Sequence, residues 1–124
     1  MAFMHVPRFT SGPHGPAPWL QPIWEVLYEG GVEILLSGHD HHYERFGPQD
    51  SEGRSDVTRG VRQFVIGTGG IGLNAVSGSE PSSEVREATT HGVVEFVLRE
   101  GSYDWRFLPV AGKVFTDQGS GACH

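Results

Sequence analysis

The order of apolar runs in this chain predicts an α/β fold, with one strand–helix–strand unit followed by mostly antiparallel strands. Three observations carry that expectation. Ala2-Phe3-Met4-His5-Val6, closed by Pro7, and Val32-Glu33-Ile34-Leu35-Leu36-Ser37, preceded by Gly30-Gly31, are short apolar runs suited to buried strands. Between them Trp19, Leu20, Ile23, Trp24, Leu27 and Tyr28 recur at helical spacing, with Pro18 or Pro22 near the first turn and Gly30 past the end. Farther on, Gly92 to Arg99 and Tyr103 to Val110 alternate apolar and polar residues around Glu100-Gly101, a hairpin pattern.

A strand–helix–strand unit makes a parallel pair whose carboxyl ends share one sheet edge, the edge where open α/β sheets bind ligands. His5 closes the first strand, His14 lies in the loop after it, and His39 and His41 follow the second strand in Gly38-His39-Asp40-His41-His42-Tyr43-Glu44-Arg45. Topology therefore gathers four imidazoles on one rim, and five of the seven histidines fall within the first 42 residues. In an extended segment His39 and His41 project to one side and His42 to the other. That H-x-H pair suits a shared metal ion, with a polar turn as the plainer reading. His5, placed on the same rim, is the third candidate ligand, and His42 is expected behind the site or at the surface. His14, in Ser11-Gly12-Pro13-His14-Gly15, is a candidate catalytic residue or a solvated loop residue. His91, distant in sequence, and the terminal His124 read as structural or surface residues.

The rest of the chain reads as strands and loops. Val61 to Gly67 is expected as a strand ending at Thr68-Gly69-Gly70-Ile71-Gly72, whose amides either cradle an anion or simply turn the chain. Ser77 to Thr90 is expected as a polar loop, and 119–124, with Gly119, Ser120 and Gly121, as a flexible tail. Cys123 is the only cysteine, so no internal disulfide is possible; it is either a free thiol or a partner for a cysteine elsewhere.

Composition excludes several classes. Fifteen acids against nine bases argue against a nucleic-acid partner. No apolar run approaches the length of a membrane span, and the first residues lack the basic region and apolar core of a signal peptide. With 124 residues, 37% of them apolar, and 18 glycines, the chain supports one modest, loop-rich domain.

Gly38-His39-Asp40-His41-His42-Tyr43-Glu44-Arg45 resembles the G-H-x-H-x-Y-E-R motif of purple acid phosphatase-like, calcineurin-like metallophosphoesterases of the bacterial secreted type. His5 to Gly12 resembles the segment carrying the preceding metal histidine and, some nine or ten residues later, a substrate-facing one. The stretches from Gly60 to Gly70, from Ser102 to Trp105 and at Thr116-Asp117 are similar to such proteins too, so the likeness covers nearly the whole chain.

The resemblance implies hydrolysis of phosphate monoesters or diesters at a dinuclear site of iron, zinc or manganese. On that likeness, bound metal would supply hydroxide as the nucleophile, and paired ions would neutralise the attacking and leaving oxygens. It assigns His5 and His39 to one ion and His41 to the other, and it sets His14 near the leaving group as proton donor or phosphate ligand. His42, Tyr43, Glu44 and Arg45 would brace the histidine loop, and Arg8 would offer positive charge to substrate, unless it is simply a surface arginine. The family's first metal aspartate, its G-D-x-x-Y segment and its G-N-H-[DE] segment have no counterpart here, and Asp50, Glu52, Asp56, Asp104 and Asp117 lie in no comparable motif.

The resemblance thus implies that residues 1–118 are the C-terminal part of a four-layer α/β/β/α sandwich, paired with an N-terminal half that supplies the carboxylates. Alone, the chain would hold at most one ion and be inactive, with partly uncovered apolar faces. The full-length protein would be exported, although nothing in this chain directs export. The alternatives are a metal-binding domain without catalysis that docks on a partner, or a remnant.

Overall fold

A computed structural model describes residues 1–124 and shows two sheets and one short helix. The elements are β1 (Ala2–Phe3), α1 (Gln21–Glu29), β2 (Ile34–Ser37), β3 (Tyr43–Gln49), β4 (Val61–Ile66), β5 (Ser83–Glu87), β6 (Gly92–Arg99), β7 (Ser102–Pro109) and β8 (Gln118–Ala122). The first sheet has the order β1-β2-β4-β3-β5, with β1, β2 and β4 parallel and β3 antiparallel to both neighbours. The second is an antiparallel sheet, β6-β7-β8.

Strand alternation sorts the apolar residues into two cores. Leu35, Val61 and Val65 face α1 and pack with Phe9, Trp24 and Phe46, whereas Ile34 and Phe64 face the second sheet and meet Tyr43, Tyr103, Trp105 and Phe107. The layers are thus helix, sheet, sheet. Trp24 anchors the first core, its ring edge-on to Phe9 at 5.0 Å.

The β1–α1–β2 unit forms as expected, with shorter elements. Regular pairing in β1 covers two residues, yet Met4 N–H donates to Leu36 and Gly38 N–H to His5, carrying the strand's hydrogen bonding to its histidine. A 3-10 turn over Pro18–Leu20 precedes the helix, and Trp19 in the turn and Ile23 in the helix are exposed instead of in the core. Pro22, which has no N–H to donate, occupies the first turn of the helix, where none is needed.

Three strands depart from the sequence expectations. Tyr43–Gln49 continues the histidine loop as central strand β3, with Tyr43 and Phe46 fully buried on opposite faces. Within the expected loop 77–90, Ser83–Glu87 is an edge strand whose one apolar residue, Val85, packs into the second core. Residues 119–124 are not a loose tail: Gln118–Ala122 pairs with β7. Gly119 and Gly121 permit this by close approach, since a Cβ on them would lie 2.4 Å from the Trp105 ring and 2.3 Å from the Tyr103 ring.

Apolar surface does stay uncovered. Phe3 on edge strand β1, and Val93, Val97 and Leu98 along edge strand β6, are exposed.

Candidate functional site

The carboxyl ends of β1, β2 and β4 meet at a pocket lined by His5, His14, His39 and His41 and floored by Gly67, Gly69 and Gly70. The loop after β2 turns sharply: Asp40 N–H donates to Gly38 at 2.7 Å, and His39 takes φ 62°, a left-handed conformation unusual outside glycine. Such strain persists where surrounding structure enforces it. Here the enforcement comes from the residue that follows β4: Gly67 N–H donates to the His42 carbonyl at 3.0 Å, and the Asp40 carbonyl occupies the place of a Gly67 side chain.

His5 Nε2 and His39 Nδ1 face each other at 3.3 Å, and the His14 and His39 ring centroids are 4.4 Å apart. His41 Nδ1 lies 3.0 Å from the Gly72 carbonyl. A carbonyl only accepts, so Nδ1 carries the proton and Nε2 keeps its lone pair, the arrangement that orients histidine ligands in metal sites. His91 donates from Nε2 to the Ile71 carbonyl at 2.9 Å, so this histidine, expected far from the cluster, also braces the pocket's glycine-rich wall.

Behind the imidazoles stand two buried carboxylates. Asp40 is fully buried and accepts from Thr10 Oγ1 at 2.6 Å through Oδ2 and from His14 Nδ1 at 2.5 Å through Oδ1. Burial pushes the Asp40 carboxyl up, but the bonds from Thr10 and His14 together outweigh it and hold the group below its usual value. Glu44, also fully buried, accepts from His42 Nε2 at 3.0 Å, Ser11 N–H at 2.8 Å, Ser11 Oγ at 2.6 Å and Ser83 Oγ at 2.5 Å. Those bonds likewise outweigh burial and depress its value. Asp40 and Glu44 thereby pin the loop carrying His14 to the segment carrying His39, His41 and His42.

The remaining candidates sit farther back. His42 is fully buried, with Nδ1 lacking a partner. Tyr43 Oη donates to Asp117 at 2.6 Å, and Arg45 pairs with Asp117 and Glu84 while lying over Trp105, so both tie β3 to the second sheet. Arg8 bonds Gln21 at 3.0 Å and lies over Phe9, outside the residues that line the pocket. Asp40 is the buried residue behind the pocket that sequence inspection missed. Its signal was an acid between two histidines in a loop leaving a buried strand.

No three His, Cys, Asp or Glu side chains are gathered closely enough to hold a metal ion as they stand. In donor chemistry they suit one ion: His5 Nε2 and His39 Nδ1 face each other at 3.3 Å, and His41 has its proton fixed on Nδ1, which leaves its Nε2 lone pair free. They do not suit two. Every pocket-lining donor side chain is an imidazole, while the Asp40 oxygens already serve Thr10 and His14. Two cations there would repel with no bridging anion.

No protein-family model and no curated protein matches the chain. Solved structures do. Purple acid phosphatase PPD1, isolated from yellow lupin (Lupinus luteus) seeds, superposes with a TM-score of 0.75 at 19% identity, covering 97% of this chain and 24% of that one. GAP50, the anchor in the inner membrane complex of Plasmodium, superposes with a TM-score of 0.77 at 18% identity, covering 97% of this chain and 35% of that one. The mixed α/β arrangement is therefore that of part of a purple acid phosphatase-like metallophosphoesterase fold. The chain spans between a quarter and about a third of those two structures. One is a phosphatase and the other an anchor, so the shared fold does not assign an activity. No helix is long and apolar enough to cross a membrane.

Proposed function

We propose that this chain is the histidine-bearing part of a metal-dependent phosphate ester hydrolase, with residues 1–118 forming the C-terminal part of its catalytic domain. The convergence of His5, His14, His39 and His41 on one pocket at the parallel strand ends carries this reading. In the complete site His5 and His39 serve one ion and His41 the other, and the carboxylates that join the ions come from outside residues 1–124. Iron, zinc or manganese bound there would activate water and neutralise charge on the phosphoryl oxygens.

The chain's own residues supply position and protons. His39 is aimed by its left-handed backbone, and His41 by the Gly72 carbonyl. His14 turns Nδ1 to Asp40, leaving Nε2 to protonate the leaving oxygen or to hold a phosphate oxygen. His42, Tyr43, Glu44 and Arg45 keep the loop rigid through the buried bonds described above. Export of the complete protein belongs to the same proposal.

A second reading has its own support. Because no free carboxylate reaches the pocket, residues 1–124 also suit a metal-binding domain that docks on a partner without catalysis. Titration with Zn2+ and Mn2+, followed by an assay with an aryl phosphate, separates the two. The hydrolase reading expects one ion per chain, loss of binding in His39→Ala and His41→Ala, no turnover by the isolated chain, and turnover once the carboxylate-bearing part is joined to it. Metal binding without turnover in the joined protein would favour the docking domain. Absence of metal binding in both forms would overturn both readings. Turnover by residues 1–124 alone would refute the requirement for outside carboxylates.

A further inference from the structure

We propose that Asp40 is the positioning residue for His14: it holds the proton on Nδ1 and so presents the Nε2 lone pair, or its proton, to the pocket. The geometry is specific. Asp40 is 0% exposed although it lies within a loop, and its Oδ1 receives both the His14 backbone N–H at 3.4 Å and Nδ1 at 2.5 Å. Oδ2 takes the Thr10 hydroxyl at 2.6 Å, and Thr10 Oγ1 in turn accepts the Gly12 N–H at 3.0 Å. The carboxylate is therefore held from one side by Thr10 while the other side grips the histidine.

The approach of the two loops is built around this contact. A Cβ at Gly12 would lie 2.5 Å from the Asp40 carboxylate carbon, so only glycine lets the 10–14 loop close over it. A solvated neutral histidine side chain prefers the proton on Nε2. A carboxylate fixed against Nδ1 reverses that preference, because an ionised carboxylate offers only acceptors. Without Asp40 the half-exposed His14 ring would turn in solvent and present either nitrogen.

The assignment rests on the reading of His14 as the group facing the leaving oxygen. It is measurable without metal or substrate, so its failure and the failure of the hydrolase reading are distinguishable. The test is long-range 15N–1H correlation NMR of the full 124-residue chain at about pH 8.5, two units above the ordinary imidazole value. His14 is expected as the Nδ1–H tautomer, with that proton far downfield as a short charge-assisted bond requires. In Asp40→Asn, which keeps the side-chain volume, the proton is expected to return to the ordinary imidazole range. In Asp40→Ala the Nε2–H form is expected to dominate. Thr10→Val removes Asp40's other side-chain partner but leaves Oδ1 against Nδ1, and is expected to weaken the Nδ1–H preference of His14 less than Asp40→Ala does. An Nε2–H tautomer in the native chain, or an Nδ1–H tautomer that survives Asp40→Ala, would overturn the assignment. So would equal loss in Thr10→Val and Asp40→Ala, which would mean that loop packing and not the carboxylate sets the ring.

Discussion

His5 Nε2 and His39 Nδ1, 34 residues apart in sequence, face each other across 3.3 Å at the ends of neighbouring parallel strands. Two ring nitrogens that close need either a proton or a cation between them, since two lone pairs repel. A divalent ion is expected to bind here at one per chain. Because loss of a mere supporting partner lowers metal affinity about 10- to 100-fold, His5→Ala and His39→Ala are each expected to lower Zn2+ affinity by at least about 100-fold. His91→Ala, which only loosens the glycine-rich wall, should cost less. Calorimetric titration of the three variants checks the order, and equal affinity in His5→Ala and the native chain would remove His5 from the site.

The Asp117 carboxylate joins the two sheets and makes stability depend on acid. It accepts from Tyr43 Oη at 2.6 Å, Arg45 Nε at 2.7 Å and Trp105 Nε1 at 3.3 Å. Burial raises its pKa, but the bonds and charge from Arg45 and Tyr43 outweigh this and depress the folded value below the ordinary one. A group depressed on folding stabilises above its unfolded pKa, about 3.9 for Asp. The contribution fades as pH falls through the lower folded value. Asp117→Asn is therefore expected to cost about 3 kcal/mol at pH 7, because Arg45 is left buried with less compensation. The gap from the native chain should narrow as pH falls below about 4. Thermal melts of both proteins at several pH values provide the check. A gap that stays constant would mean that shape, not charge, holds the sheets together.

The histidine rim was legible because its information is local: an H-x-H pair after an apolar run, with a strand–helix–strand topology to bring His5 beside it. Asp40 was not, because an acid inside a motif shows its role only when the loop of Thr10 and His14 closes over it. The polar edge strand β5 has one core residue, Val85, and is defined by Glu44 and its β3 neighbours instead of by alternation. Strand β8 is hidden for a related reason, since its glycines read as flexible until the rings of Tyr103 and Trp105 are in place to require them.

If 118–122 were a loose tail, Gly119→Ala would change stability by no more than about 0.5 kcal/mol, as surface substitutions do. Packed against Trp105, with the new Cβ 2.4 Å from the ring, it is expected to destabilise by about 1 to 3 kcal/mol. Gly112→Ala is unsuitable as a control because φ is 85° there and alanine adds strain of its own. Ser120→Ala, on the same strand, serves instead. Urea unfolding of the two variants separates the outcomes, and a silent Gly119→Ala would return 119–124 to the status of a tail.

Gly67 makes the corresponding demand within the site. Its Cβ would come within 1.9 Å of the Asp40 carbonyl oxygen and 2.9 Å of the His41 Cα, both backbone atoms that no rotamer change can move aside. Gly67→Ala must therefore push the 39–42 loop away from β4, breaking the Gly67 to His42 hydrogen bond and releasing the constraint that keeps His39 left-handed. A cost of about 3 kcal/mol or more is expected, at the upper end of overpacking. Metal affinity is expected to fall along with stability, because His39 and His41 lose their common alignment. Gly69→Ala, with nothing within 4 Å of the new carbon, is expected to leave both stability and metal binding unchanged. If Gly67→Ala bound Zn2+ like the native chain, the histidine loop would be free to adapt, and its strained backbone would have no part in presenting the ligands.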